Sequence, residues 1–259
     1  MSRKTSHCLS VIVPAYNEQN RIIHSLPKLL REVERRFLDF EIIIVDDGSN
    51  DDTAKIVKKF TAINKKVRLI SYRHNMGKGH AVRTGVLAAK KDYVLYCDAD
   101  LSTPFREVRK LLKAIDDGCD IAIGSRARKD TRILKRQPVY RVLMGKTFNK
   151  IVKLLAVSEI NDTQCGFKCF KAAIALDIFK DCYIDGFSFD VEMLYIAKKR
   201  DFKVKEVGVL WTNDTQSKVH PIYHSLQMFK DLVIIRSYAL LGYYGRRIGL
   251  RNRTEASSS

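Results

Sequence analysis

The chain has 259 residues, 46% of them hydrophobic, and its 47 basic and 29 acidic side chains give a formal charge of +18. That apolar content can bury a substantial core in one large domain or two small ones, which excludes a wholly disordered chain. Its six cysteines show no zinc-type pairing, residues 1–8 have no leader-like character, and no apolar run nears the ~20 residues that cross a bilayer, so a reduced, cytoplasmic protein that is not integral to a membrane is expected.

Taken in order, residues 9–15 form a short β-branched strand, and residues 18–37 carry Ile22, Leu26, Leu29, Leu30, Val33 and Phe37 at helical spacing. Residues 40–45 predict a second buried strand, which runs into Asp46-Asp47-Gly48-Ser49, a turn able to cap a helix through residue 60. A strand over 67–72, a helix over 79–90 and a strand over 93–97 continue the alternation, with a fifth strand at 120–124. Near-continuous apolar strands separated by amphipathic helices predict an α/β fold whose sheet is mostly parallel and covered by helices on both faces. Further on, the pattern predicts a helix over about 138–155, an amphipathic run over 191–199, a strand over 204–210 and a helix over 220–244. Residues 248–259 read as a disordered tail.

The charge is unevenly placed. Residues 126–153 hold ten basic and one acidic side chain, half of the whole excess. Such a block points to an anionic partner: nucleic acid, a phosphorylated substrate or an anionic membrane surface. A nucleic-acid-binding protein would account for the charge, but no recognised binding motif or regular series of stacking aromatics accompanies it, so no nucleic-acid partner is expected.

The polar clusters all follow strands. Asn17-Glu18, Asp46-Asp47, Asn75-Met-Gly-Lys-Gly79 and Asp98-Ala-Asp100 come after the first four, and ligands of open α/β sheets bind outside the carboxyl ends of strands. Alternate side chains point the same way, so Asp98 and Asp100 can converge on one point, which suits a hard cation such as Mg²⁺ or Mn²⁺ shared with substrate phosphates. For an isolated Asp-x-Asp an acidic turn is much the commoner reading, because such triplets arise often by chance, so the context has to decide it. Neither a P-loop nor a Gly-x-Gly-x-x-Gly fingerprint is present. Asp190 sits among phenylalanines and reads equally as a desolvated carboxylate or as part of a capping turn.

Pro14-Ala-Tyr-Asn-Glu18, Val45-Asp-Asp-Gly-Ser49, Asn75-Met-Gly-Lys-Gly79, Asp98-Ala-Asp100 and Gly124-Ser-Arg126, in this order, resemble the inverting family 2 glycosyltransferases with the GT-A nucleotide-sugar fold. Asp162-Thr-Gln-Cys-Gly-Phe-Lys168 and Phe187-Ser-Phe-Asp-Val-Glu192 are similar to the dolichyl-phosphate β-glucosyltransferase branch, kin of the dolichyl-phosphate mannose synthases. The resemblance covers roughly residues 9–219 and implies a catalytic domain over 1–219, with its acceptor side at about 126–219. It implies a nucleotide-sugar site lined by Pro14, Ala15, Glu18, Asp46, Asp47, Lys78 and the Asp98-Ala99-Asp100 stretch, whose two aspartates hold the metal. It places Arg126, Arg141, Gln164 and Lys218 at the acceptor phosphate, and Asp98, Asp100, Asp190 and Arg126 at the chemistry. The expected partners are a nucleotide sugar, UDP-glucose ahead of GDP-mannose, and a polyprenyl or dolichyl phosphate; a saccharide acceptor is the alternative. Residues 220–247, with Tyr238, Tyr243, Tyr244 and several arginines, predict an amphipathic segment bound peripherally on the cytosolic face of a membrane.

Overall fold

A computed structural model of the chain describes residues 4–135, 145, 147, 149–153, 156–213 and 221–245. Its strands are β1 (Leu9–Ala15), β2 (Phe40–Asp46), β3 (Val67–Ser71), β4 (Tyr93–Cys97), β5 (Ile121–Ser125), β6 (Arg132–Lys135), β7 (Phe167–Lys171), β8 (Val204–Gly208) and β9 (Leu210–Thr212). The helices are α1 (Gln19–Arg36), α2 (Thr53–Ile63), α3 (Lys78–Leu87), α4 (Val108–Asp116), α5 (Ala172–Phe179), α6 (Phe189–Lys199) and α7 (Pro221–Leu240). Residues 149–153 are helical too, within the expected 138–155 helix; the rest of that expectation lies partly, and the expected 248–259 tail wholly, outside the described residues.

The main sheet runs β3-β2-β1-β4-β7-β5-β8, all neighbours parallel except β7, which is antiparallel to both β4 and β5. β1 and β2 are inner strands buried on both faces, which is why they read as continuous Val/Ile runs rather than as alternating ones. On one face Leu9, Val11, Val13, Leu95, Cys97 and Phe167 meet Leu26, Leu29 and Val33 of α1 and Leu111 and Ile115 of α4. On the other, Ile12, Ile43, Tyr96, Ile123 and Phe170 meet Val82 and Val86 of α3, Ile178 of α5, Met193 and Ile196 of α6, and Leu232 and Ile235 of α7.

Residues 167–171, for which the sequence reading names no element, form a central strand; Lys168 interrupts the apolar pattern there because its charge is satisfied internally. Three expectations are corrected. The single strand expected over 204–210 is two, because the chain leaves β5 after Gly208 and pairs β9 with β6 instead. An added Cβ at Gly208 would meet the exposed Asp130 carboxylate, which lies against the backbone where the chain changes partner. The last helix ends at Leu240 and a turn follows, with Gly242 at φ +83°. That turn drives Tyr244 into the core at 0% exposure, where its hydroxyl donates to Glu192 at 2.6 Å, so Tyr244 is not part of any interfacial belt. Helix α6 is likewise buried on nearly all sides rather than amphipathic.

Candidate active site

The loops after β1, β2 and β4 and the start of α3 converge at one edge of the sheet, stitched by specific bonds. The Asp47 N–H donates to the Ala15 carbonyl at 2.8 Å, beside Pro14, and Asn17 and Glu18 donate their amides to Ser49 Oγ and Thr53 Oγ1, each at 2.8 Å. Glu18 holds Arg21 through both carboxylate oxygens at 2.8 Å. Asp46 accepts from Ser71 Oγ at 2.8 Å. The Asp47 carboxylate accepts the Met76 and Gly77 amides at 2.8 and 2.9 Å and Asn75 Nδ2 at 2.9 Å, so it shapes the loop that leads to Lys78. Burial pushes the Asp47 carboxyl above its ordinary range, partly offset by those two amides.

Gly77 has φ +105°, and an added Cβ would run into the Asp185 carbonyl. The same carbonyl accepts the Gly79 and His80 amides at 2.7 and 3.2 Å, locking the start of α3 to the acceptor-side loop. Lys78 therefore has a fixed root, and its Nζ sits 2.6 Å from Asp98 Oδ1. Burial works against the Lys78 charge, but Asp98 and then Asp190 outweigh it and raise its pKa. Asp100 accepts the Ser102 amide at 2.8 Å across a turn in which Leu101 has φ +51°. Burial, and next the charge of Asp98, lift the Asp100 carboxyl above its ordinary value. Ala99 lies buried between the two.

The acceptor side closes on these carboxylates. The Asp98 amide donates to the Gly166 carbonyl at 3.1 Å, and Gly166 lies so close that a Cβ there would overlap the Asp98 carboxylate. Arg126 forms a two-point pair with Asp162, Nε to Oδ2 and Nη2 to Oδ1, both at 2.8 Å, and lies over the Trp211 ring at 5.6 Å. Gln164 donates its amide to Asp162 and points its side chain at Met228 of α7. Asp190 is neither the cap of α6, which is Ser188, nor open to solvent: its carboxylate, 4% exposed, takes Lys168 Nζ at 2.5 Å and the Tyr96 hydroxyl. Arg141 and Lys218 lie outside the described residues.

Sequence reasoning missed Lys168 and Tyr96. Their signal was present as a lysine inside an apolar run and a tyrosine two residues before Asp98, but the link needs the β4–β7 register, which pairs Tyr96 with Lys168. It also missed Asp162 as the partner of Arg126. Burial raises the Asp162 carboxyl, but Arg126 outweighs it and holds the group below its ordinary 3.8. A depressed carboxylate contributes stability above its unfolded pKa and loses it as pH falls through the folded value. Asp162→Asn is thus expected to be less stable than the wild type at pH 7, with the urea midpoints converging only below about pH 4. Midpoints that stay equally far apart at pH 3 would contradict this.

Residues 10–179 match the family model described as Glycosyl transferase family 2, and the chain belongs to that family. It is 38% identical over 247 residues to the dolichyl-phosphate beta-glucosyltransferase of Homo sapiens, covering 90% of this chain and 76% of the relative. It is 40% identical over 248 residues to the protein of the same name from Dictyostelium discoideum, covering 91% and 76%. Its fold is similar to that of glucosyl-3-phosphoglycerate synthase from Mycobacterium tuberculosis, solved in complex with Mn²⁺, UDP-glucose and phosphoglyceric acid, with TM-score 0.65 at 18% identity over 92% of this chain and 80% of that one. The family and the GT-A fold expected from the motifs are those found.

Proposed function

We propose that the chain transfers glucose from UDP-glucose to dolichyl phosphate, with Mg²⁺ or Mn²⁺ held by Asp98 and Asp100 against the donor diphosphate. The observation that carries the donor side is the Lys78–Asp98 pair at the meeting point of the strand-end loops; the likeness to the named glucosyltransferases over nine tenths of the chain supports the acceptor. The carboxylates fit a divalent cation. Asp98 Oδ1 is buried with no aligned hydrogen-bond donor among the described residues, and the Lys78 ammonium stands 2.6 Å from it. Among the described residues no cluster of three or more acidic, histidine or cysteine side chains forms a closed cage, which suits a cation completed by phosphate oxygens and water. Bound there, the cation would offset the negative charge that builds on the departing nucleotide.

The residues then divide the work. Lys78, standing on Asp98, can turn to the diphosphate when the donor arrives and add positive charge where the leaving group develops its own. An oxygen of the lipid phosphate attacks the anomeric carbon, and the bond from that carbon to the diphosphate oxygen breaks, its electron pair leaving with UDP. A phosphate monoester has a second pKa near ~6 and offers an anionic oxygen at pH 7, so no side chain has to remove a proton. Arg126, oriented by Asp162 and Trp211, presents its guanidinium to the acceptor phosphate, and Gln164 lines the same side. Asp190 acts from beneath as a buried counter-charge. Pro14, Ala15, Glu18, Asp46 and Asp47 form or support the nucleoside end.

The lipid reaches the site from a membrane surface. Helix α7 buries Leu232 and Ile235 but exposes Phe229, Val233 and Leu240, and the following turn exposes Leu241 and Tyr243. Ile133 and Leu134, within the basic block, are exposed as well. No described helix is long and apolar enough to cross a membrane. Each basic residue near an anionic surface is worth on the order of 1 kcal/mol, so co-sedimentation with anionic liposomes is expected to fall as salt rises, and neutral liposomes are expected to capture less. Indifference to anionic liposomes at low salt would refute peripheral attachment through this segment. For the donor, UDP with Mn²⁺ is expected to raise the melting midpoint more than GDP with Mn²⁺, since a ligand bound only by the folded state stabilises it. A larger shift with GDP would favour a mannosyl donor.

A further inference from the structure

Lys168 is fully buried in the middle of the sheet, and an ammonium has three donors to place. All three are placed: on Asp190 Oδ1 at 2.5 Å, the Tyr96 hydroxyl oxygen at 2.6 Å and the Cys165 carbonyl at 2.8 Å. A plain ion pair with Asp190 would explain the first two, because β7 faces β4 with Lys168 opposite Tyr96 and α6 covers that face. It does not require the third. The Cys165 carbonyl belongs to the turn whose next residue, Gly166, accepts the Asp98 amide and lies in contact with the Asp98 carboxylate. The strand lysine is thereby linked through one turn to the side chain at the centre of the site.

We propose that Lys168 is a positioning residue, which by holding the Cys165–Gly166 turn sets where the Asp98 carboxylate stands for the cation and the donor diphosphate. This rests on the reading of Asp98 given above. Lys168 itself, at 0% exposure, touches neither substrate.

The test compares two neutral double variants, Lys168→Met/Asp190→Asn and Lys168→Gln/Asp190→Asn, which match in charge and nearly in size but differ in having a donor for the Cys165 carbonyl. Binding of Mn²⁺ in the presence of UDP is read by calorimetry and by the Mn²⁺ paramagnetic resonance signal. The Met variant is expected to lose at least about tenfold in Mn²⁺ affinity, as outer-shell partners of metal ligands do, and the Gln variant to stay within about threefold of the wild type. Gly166→Ala, whose methyl would meet the Asp98 carboxylate directly, tests the link from the turn to Asp98 independently of Lys168 and is expected to lose about as much as the Met variant. Wild-type affinity in the Met variant, or in folded Gly166→Ala, would overturn the proposal. Should the wild type itself bind no Mn²⁺ with UDP, the metal reading of Asp98 fails, and the anchor is judged separately by hydrogen exchange at the Asp98 amide. That exchange is expected to be faster in the Met variant than in the Gln variant, and equal rates would refute the anchor.

Discussion

Asp98→Asn and Asp100→Asn are each expected to lower glucosyl transfer by roughly 10³-fold, the scale on which a preorganised charge at a developing oxyanion acts. Both carboxylates lie at the mouth of β4, one against Lys78 and the other turned back on the Ser102 amide, so asparagine fits either place without disturbing the backbone. The fold should therefore survive. What goes is anionic oxygen at the point where cation and diphosphate meet, and a neutral amide oxygen is a poor substitute for a hard cation's ligand. Without ligand Asp100→Asn is expected to melt no lower than the wild type and Asp98→Asn somewhat lower, because Lys78 loses its partner, and both to show little of the wild type's midpoint rise with UDP and Mn²⁺. Chelation of the wild type should give the same loss of turnover, reversed by added Mn²⁺. Turnover within threefold of the wild type in either variant would remove these residues from the chemistry.

Lys168→Met alone is expected to destabilise the protein by about 3–5 kcal/mol, because it strands the Asp190 carboxylate in a place where water does not reach. The pair is deeply enclosed: the lysine side chain is 0% exposed and the aspartate 4%. Taking two charges out of water is costly, and the pair recovers that cost only through the complete set of hydrogen bonds that Tyr96 and the Cys165 carbonyl supply. The converse also follows. Adding Asp190→Asn to Lys168→Met should restore most of the loss, since a neutral, well-packed replacement of a buried ion pair is often close to neutral in stability. Urea unfolding with an unchanged dependence on denaturant would measure both steps. A single variant as stable as the wild type, or a double variant less stable than the single, would contradict this account of the buried pair.

The parts of the fold governed by local periodicity were legible from the residues. Strand β4 was placed at its observed limits, and β1, β2 and α1 within a residue or so, because Val/Ile runs and the Ile22-to-Val33 spacing report burial directly. The convergence of Asp47, Lys78 and Asp98 was legible too, since parallel strands put all their following loops on one edge. Partnership across the sheet was not. Nothing local in Phe167-Lys-Cys-Phe170 shows that this strand runs against its neighbours or that Lys168 meets Tyr96, because that contact is a matter of register between segments some seventy positions apart. Tyr244 failed for a related reason: its composition suits an interface, and only the turn at Gly242 sends it inward to Glu192. Asp162 and Arg126 show the same limit, each conspicuous alone and paired only in space.

The central claim, glucosyl transfer from UDP-glucose to dolichyl phosphate, is tested most directly by incubating the purified protein and Mn²⁺ with either UDP-[¹⁴C]glucose or GDP-[¹⁴C]mannose and dolichyl phosphate in detergent. The account predicts a labelled lipid extractable into organic solvent from UDP-glucose, dependent on dolichyl phosphate, abolished by chelator and absent in Asp98→Asn. Label transferred from GDP-mannose instead, or no labelled lipid from either donor while label passes to a saccharide acceptor, would contradict it.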